Sequence, residues 1–326
     1  MKTLTVNTVA GVIEMPNCRV ELFHEVEDAQ PLSLAVGIFD GVHVGHQAVV
    51  ETAIEAAKSH GGLCGVLTFD PHPSRILRPD QATELIMTHE QKSEALRLMG
   101  VDLVVWKTFD TSIAGVSAEG FLSYLKQGLL SLHSVHVGEN FRFGKGRVGD
   151  VDLLKKSGRE VGVSVVGCPR LHQGNTIVSS SRIRDCLRNG EVEDANVMFG
   201  RFYETWGTVI QGKRLGRELG FPTLNMRWNP ELRPRYGVYV VKVGLSGSPE
   251  RAWGIANYGV RPSVETDVEP QLEVHMLQRC TWDKGDQLVV DWLTFVRSEQ
   301  KFNSLDELKE QINRDVIFAA AYAGRH

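Results

Sequence analysis

Cysteine is scarce and scattered. Cys18, Cys64, Cys168, Cys186 and Cys280 form an odd set without a CxxC pair, which argues against a disulfide framework as the organising feature. The thiols are expected as small core residues in a reducing compartment. Long hydrophobic runs are missing too. The best run near the end, Val316 to Ala323, is too short to cross a bilayer, and the first residues lack the basic-then-apolar pattern of a signal peptide. A cytoplasmic protein with no membrane partner is the expectation. Neither sign of charge dominates: 36 basic against 40 acidic residues leave a net charge of -4, so nothing draws the whole surface to nucleic acid. Any anion site must therefore be local. There is no HExxH either. A chain of 326 residues is long for one domain and comfortable for two.

What is present is organised around Leu34 to His46, LAVGIFDGVHVGH. Leu34, Ala35 and Val36 suit a buried strand, Gly37, Gly41 and Gly45 follow, and GHQAVVETAIEAAKSHGG has helical periodicity. Strand, glycine turn and helix in succession let a phosphate approach the backbone N–H groups and positive end of the new helix. His43 and His46, three residues apart, can face one site. By themselves they could equally be ordinary polar residues; as a metal pair they lack an obvious third ligand.

Short strands are expected over Leu4 to Ile13 and Val20 to Phe23. LCGVLTFDPHP reads as a strand entering a Pro-rich turn, THEQKSEALRLMG as a helix capped by Thr88 and Gly100, and VDLVVW as a strand. SAEGFLSYLKQGLL is helical, and SVHVG and GVSVVGCP are strands. Strands alternating with helices to about Pro169 predict a Rossmann-like, doubly wound α/β domain with a parallel sheet, whose ligands bind at the carboxyl ends of its strands.

Three further loops fall at predicted strand ends: FDPHP, GENFRFGKGRVGD and VSSSRIRDCL. Ser179, Ser180 and Ser181, with Arg182 and Arg184 behind them, make a second anion cradle or, read alone, a plain helix cap. Asn140, Phe141, Arg142 and Phe143 could be a packed loop, yet their rings, guanidinium and amide also suit a flat heterocycle. Two cradles facing one another fit a nucleoside triphosphate better than a dinucleotide.

The period then changes. Ile183 to Phe199 is read as one helix ending at Gly200, and the text beyond it as short strands and turns, with a final helix capped by Ser304 and Glu307. A small β-barrel with a C-terminal helix is expected, with boundaries at 1–182, a linker helix over 183–200 and a second domain over 201–326. Its densest signal is GKRLGRELGFPTLN. Gly212, Gly216 and Gly220 permit close backbone approach, Lys213 and Arg217 bring positive charge, and Thr223 and Asn225 put oxygen ligands on one strand face. A glycine-rich hairpin with solvated basic residues is the plainer alternative. In LEVHML, alternation sets Glu273 and His275 opposite Leu272, Val274 and Met276; Glu273 is a candidate base or simply an exposed strand residue.

GIFDGVHVGH, LTFDPHP, VGENFRFGKGRVGD and VSSSRIR, in this order, resemble the N-terminal half of the bacterial bifunctional riboflavin kinase/FMN adenylyltransferase (FAD synthetase) family, and GFPTLN, NYGVRPSV and LEVHML extend the resemblance through the second half. The resemblance implies ATP-dependent phosphorylation of riboflavin to FMN, then adenylylation of FMN to FAD with release of pyrophosphate. It implies His43, His46 and Arg184 as catalytic residues of adenylylation, with Gly37, Phe39, Gly45, Ser179, Ser180 and Ser181 around ATP. Asp70, His72, Asn140, Phe141, Arg142 and Phe143 are implied for the flavin. In the kinase half it implies Gly212, Lys213, Gly216 and Arg217 for ATP, Thr223 and Asn225 for Mg²⁺, and Glu273 as base, with His275 structural. Riboflavin, FMN and ATP are the implied small-molecule partners, with no nucleic acid.

Some positions depart from the family. Ile38 and Asn140 stand where Asn and Asp are common, Ser263 where Thr is usual, and RCTWDKGDQLVV replaces an acidic, tyrosine-containing turn. Two alternatives follow: an adenylyltransferase with a weakened or lost kinase, or a flavin-binding carrier without turnover. Retention of His43, His46, Thr223, Asn225 and Glu273 argues against the carrier.

Overall fold

The computed structural model describes the chain apart from residues 1–6, 9–10, 13–17, 24–25, 27–28, 175, 213–215, 217–219, 261–269 and 326. It divides into two compact units, Met1–Ser180 and Ser181–His326.

In the first unit, β1 (Asn7–Thr8) and β2 (Gly11–Val12) pair as a short antiparallel ladder. The main elements follow in chain order: β3 (Arg19–Leu22), β4 (Leu32–Val36), α1 (Val44–His60), β5 (Leu63–Asp70), α2 (Pro73–Leu77) and α3 (His89–Leu98). Next come β6 (Leu103–Thr108), α4 (Thr111–Ala114), α5 (Phe121–Gly128), β7 (Leu132–Gly138), α6 (Val151–Val161) and β8 (Ser164–Cys168). The small hairpin β9 (His172–Gln173) and β10 (Thr176–Ile177) closes the unit.

Strands β3 to β8 form one six-stranded sheet in the order β3-β6-β5-β4-β7-β8, parallel throughout, as the alternating pattern predicts. Alternation sends successive side chains to two cores. Leu32, Leu34 and Val36 join Leu122, Leu125 and Leu154 on one face, while Ala35 joins Val49, Val50, Ala53 and Ala57 of α1 on the other. Both faces are thus covered, and all five residues of β4 are buried. From β4 the chain winds outward through β5 and β6, then returns to place β7 on its other side. The carboxyl ends of β4 and β7 therefore flank the switch in winding direction, the crevice where such sheets take ligands.

Local signals set the helix ends. Gly61 closes α1 with φ +62°, and Thr88 opens α3 with a reciprocal capping box to Gln91. At the other end of α3 the cap is Met99, one residue before the expected Gly100, which takes φ +90° just beyond it.

The second unit begins with helices rather than strands. The single linker helix expected over 183–200 is instead two, α7 (Ser180–Asn189) and α8 (Val192–Phe199), with Gly190 at φ +82° between them. The break has a packing reason: a Cβ on Gly190 would lie 3.1 Å from Arg235 and 3.2 Å from Phe295. A closed antiparallel barrel follows, made of β11 (Tyr203–Ile210), β12 (Thr223–Arg227), β13 (Gly237–Leu245), β14 (Ala252–Gly259), β15 (Gln271–Met276) and β16 (Gln287–Ser298), in the order β11-β12-β15-β14-β13-β16. Its interior packs Tyr239, Tyr258 and Trp292, and Trp292 Nε1 donates to Thr205 Oγ1 at 3.0 Å.

Helix α9 (Leu305–Ala323) docks on the barrel's outside through Val316 and Ala319 against Val238, Val240 and Ile255. Arg297 Nε donates to both carboxylate oxygens of Asp315 at 3.0 Å, fixing the helix in register. Ser304 caps α9 by accepting from Glu307 N at 3.1 Å. The Glu307 carboxylate reaches Asn303 N, so the expected capping box is shifted by one residue on its return leg.

Candidate active sites

The first site is built on the turn from β4 into α1. Phe39, Gly41 and Val42 take φ of +51°, +87° and +39°, a conformation that costs the two non-glycine residues and persists only where surroundings impose it. The surroundings here are specific. The Ile38 carbonyl accepts from Lys92 Nζ at 2.8 Å and Thr68 Oγ1 at 2.9 Å. The Asp40 carboxylate, 1% exposed, accepts from Ile86 N at 3.1 and 3.2 Å, and the Asp40 carbonyl accepts from Ser180 Oγ at 2.8 Å. Gln47 Nε2 donates to the Val42 carbonyl at 2.9 Å.

This turn delivers His43 to the start of α1, where its Nδ1 accepts from His46 N at 3.2 Å. An acceptor at Nδ1 puts the proton of a neutral ring at Nε2. The two imidazoles stack with centroids 3.6 Å apart, and His46 meets the edge of Phe39 at 5.3 Å. Gly45 and Gly37 are small for a reason: a Cβ on either would stand 3.2 Å from the His43 ring or 3.1 Å from the Phe39 ring. Gly37, Phe39, His43, Gly45 and His46 are thus one packed group at the sheet's switch point. Ser179 and Ser180 end the same unit, tied to it by the Ser180–Asp40 bond, while Ser181 and the buried Arg184 belong to the second unit.

The residues expected around the flavin have differing surroundings. Asp70 ends β5 and pairs with His89 Nε2 at 3.2 Å; His89 lies 4.3 Å from the Trp106 ring. His72 caps α2, its Nδ1 accepting from Ser74 N at 3.1 Å. After β7, Asn140 and Arg142 are exposed, whereas Phe141 stacks on Phe143 at 5.5 Å. Phe143 is 5% exposed and packed into the core beside Phe121. The loop therefore offers an amide and a guanidinium to solvent and uses its inner ring to anchor itself.

The sequence reading missed Lys92, Thr68, His89 and Trp106. Lys92 is only 2% exposed. Its signal was available: it stands four residues before buried Leu96, on the inward face of α3.

The second site lies on the outer face of the barrel. Ladder register sets Thr223 opposite His275 and Asn225 opposite Glu273, and Asn257 opposite Glu273 on its other side. Thr223, Asn225 and Glu273 share a face, as the strand period requires. Two glycines make room for them. A Cβ on Gly212 would fall 2.3 Å from Asn225 Nδ2, and one on Gly216 would fall 2.4 Å from the Phe221 carbonyl and 3.4 Å from Thr223 Oγ1. His275 Nδ1 lies 2.8 Å from the Pro222 carbonyl, which holds the chain just before Thr223. Thr223 and Asn225 present neutral hard oxygens without a carboxylate between them, a donor set that suits a cation arriving with phosphate oxygens of its own. Lys213, Arg217 and Ser263 lie outside the described residues. The unusual turn after Glu273 closes on itself, with Asp283 N donating to Asp286 Oδ2 at 2.8 Å and Gly285 at φ +101°.

Comparison with known proteins follows the same division. The FAD synthetase family model matches residues 25–182 and the riboflavin kinase family model residues 199–323. The bifunctional riboflavin kinase/FMN adenylyltransferase of Escherichia coli K12 is 36% identical over 292 residues, covering 89% of this chain and 92% of its own. That of Bacillus subtilis 168 is 34% identical over 305 residues, covering 92% and 95%. A crystal structure from Streptococcus pneumoniae, described as a macrolide-efflux protein, superposes with TM-score 0.80 at 26% identity, over 90% of this chain and 95% of that one. Among the described residues, no helix of this chain is long and apolar enough to cross a membrane. Parallel sheet and closed barrel in this order, each matched by its own family model and together matched at 36% identity over 89% of the chain, mean that the chain belongs to the bifunctional riboflavin kinase/FMN adenylyltransferase family.

Proposed function

We propose a division of labour between two sites for the two reactions of this enzyme. The chain phosphorylates riboflavin to FMN with ATP and adenylylates FMN with a second ATP to give FAD and pyrophosphate. The observation that carries the division is the pairing of a histidine-capped turn at the switch point of the parallel sheet with a face of the barrel on which Asn225 stands directly opposite Glu273.

In adenylyl transfer the FMN phosphate attacks the α-phosphorus of ATP and pyrophosphate departs. No side chain need act as nucleophile, so alignment and stabilisation of developing charge do the work. His43 Nε2–H and His46 donate to phosphate oxygens as charge builds, and the N-terminal amides of α1 add the helix dipole. Gly37, Phe39 and Gly45 shape the turn around ATP. Ser179, Ser180, Ser181 and Arg184 are assigned to the triphosphate on the strength of the VSSSRIR motif. Asp70, His72, Asn140, Phe141 and Arg142 are assigned to the flavin, with Phe143 supporting their loop from within the core.

In the kinase step Glu273 accepts the proton of the ribityl 5′-hydroxyl as that oxygen attacks the γ-phosphorus and ADP leaves, while Gly212 and Gly216, with Lys213 and Arg217 by motif, surround the triphosphate. Thr223 and Asn225 would hold Mg²⁺, which supplies charge neutralisation at the phosphate oxygens. His275 holds the Pro222 carbonyl and so sets the approach to Thr223. We place the enzyme in the cytoplasm, which suits its five free cysteines, four of them buried. Adenylylation is assigned up to about residue 182, and the helices over 183–200, expected as a linker, are grouped with the kinase barrel, with which they share a compact unit.

The test is a chromatographic time course of flavins with purified protein, ATP and Mg²⁺, started from riboflavin in one tube and FMN in another. FMN followed by FAD in the first tube is expected. FAD only from FMN removes the kinase assignment, and retained but unchanged flavin in both tubes leaves a carrier.

A further inference from the structure

Lys92 is a cation in an unusual place. It sits on the inward face of α3 at 2% exposure, with Nζ 2.8 Å from the Ile38 carbonyl, 3.4 Å from Thr68 Oγ1 and 5.0 Å above the Trp106 ring. Burying an ammonium costs several kcal/mol, and a methionine of similar shape would fill the space without that cost. Packing alone therefore gives no reason for a lysine. The reason lies in what the ammonium holds. The peptide between Ile38 and Phe39 directs its carbonyl to Lys92 and Thr68, and Phe39 takes φ +51° immediately after it. Beyond Phe39 come the left-handed Gly41 and Val42, then the cap at His43. The strained turn is pinned at its first peptide by Lys92 and at Asp40 by Ile86 and Ser180.

We propose that Lys92 is a positioning residue for adenylyl transfer: by clamping the Ile38 carbonyl it holds the turn that presents His43 and His46 to the phosphates of ATP. The inference rests on the assignment of that reaction to this turn. Lys92 touches neither substrate nor reacting atoms in this role; it acts through the backbone. The groups facing it are the carboxylates of Asp40 from the turn and Asp70 from β5, which favour its charge, and Thr68 and Trp106 from β5 and β6, with His89 of its own helix also 4.3 Å from the Trp106 ring. Burial outweighs the carboxylates and pulls the ammonium down from 10.5 to about 8. A neutral amine still donates to the carbonyl, though at about half the strength of a charged donor. The clamp therefore loosens in mildly alkaline solution.

The experiment uses the full chain with ATP and Mg²⁺, reading FMN to FAD and riboflavin to FMN in the same preparation. Lys92→Met is expected to lower kcat/KM of the transfer roughly 10- to 100-fold and to raise KM for ATP, with the kinase unchanged. The parent's transfer rate should decline above about pH 8, and that decline should be absent from Lys92→Met. Thr68→Val, which removes one of the two donors to Ile38, should move the rate in the same direction by less and keep the decline. A Lys92→Met transfer within about twofold of the parent overturns the proposal, since misplacement of reacting groups is costlier than that. So does a lower kcat with KM for ATP and the alkaline decline both unmoved, which is what a smaller folded fraction produces. If Lys92→Met loses the kinase as well, Thr68→Val and the parent profile decide, and a parent profile flat into alkaline solution, or an unaffected Thr68→Val, sinks the idea. A parent that makes no FAD from FMN is recognised before any variant is compared; it removes the transfer reading and this inference with it.

Discussion

His46 and Glu273 stand in different units, so each can be removed without disturbing the other's surroundings. His46→Ala deletes the residue assigned above as a phosphate donor and half of the stacked imidazole pair. FAD formation from FMN should fall by about 10²- to 10³-fold while FMN formation from riboflavin is retained. Steady-state assays of the two reactions on one preparation check this, and loss of both would contradict independent sites. Glu273→Gln keeps the shape opposite Asn225 and removes the proposed base. The kinase should slow by roughly 10²- to 10⁴-fold with transfer unaffected. An unchanged kinase rate would reassign the base.

At the scale of elements, two contacts set how firmly each site is held. Under α1, His136 of β7 is 1% exposed between Thr52 Oγ1 at 2.9 Å and Ser134 Oγ at 2.9 Å. Thr52 spends its proton on the Val49 carbonyl at 2.8 Å, so it accepts from Nδ1–H, and Nε2 accepts from Ser134. Burial lowers this histidine from 6.5 to about 4. The folded state therefore prefers the neutral ring, and the unfolded chain binds the proton more readily. The resulting stability is complete above pH 6.5 and is lost as pH falls through about 4. Its size is at most about 3 kcal/mol. Thermal melts between pH 6.5 and 4 should show the parent losing more than His136→Asn; parallel losses would assign the acid sensitivity elsewhere. In the barrel, Gly212→Ala would set a Cβ 2.3 Å from Asn225 Nδ2, and Asn225 is 8% exposed with little room to retreat. The kinase should fall by about tenfold or more and require more Mg²⁺, with transfer unchanged. Titrating both activities with Mg²⁺ checks it.

For the whole molecule, the useful question is where the kinase half can be cut. Helix α8 is part of what closes the barrel: Asn196 Nδ2 donates to the Trp292 carbonyl at 2.8 Å, its Oδ1 accepts from Tyr203 N at 2.6 Å, and Phe199 is 1% exposed. Arg235 N donates to the Leu187 carbonyl at 3.0 Å, tying in α7. A fragment over 181–326 should fold and phosphorylate riboflavin, whereas one over 201–326 uncovers Tyr203 and Trp292 and should melt lower or precipitate. Expression and riboflavin turnover of the two fragments decide it; equal behaviour would make α7 and α8 a mere connection.

The sequence by itself determined the class of each half, because strand and helix periods are local properties of the chain, and turn chemistry at Gly61, Thr88 and Ser304 is read within a few residues. It also placed Thr223, Asn225 and Glu273 on their strand faces, since side-chain direction along a strand has period two. The break at Gly190 was illegible because its cause is the approach of Arg235 and Phe295, more than 40 residues away in the chain. Phe143 reads like its neighbour Phe141 in sequence, and both reach the Phe121 ring, at 5.0 and 6.4 Å; only the depth of burial in the folded core separates the anchor from the half-buried ring. Lys92 was the largest omission. A lysine's meaning depends on which carbonyl its ammonium finds, and Ile38 lies 54 residues earlier. The inward position of Lys92 on α3 follows from Leu96 four residues on, but tertiary structure alone decided that its ammonium would meet the turn on which the first site is built, because only the folded sheet brings α3, β5 and that turn to one point.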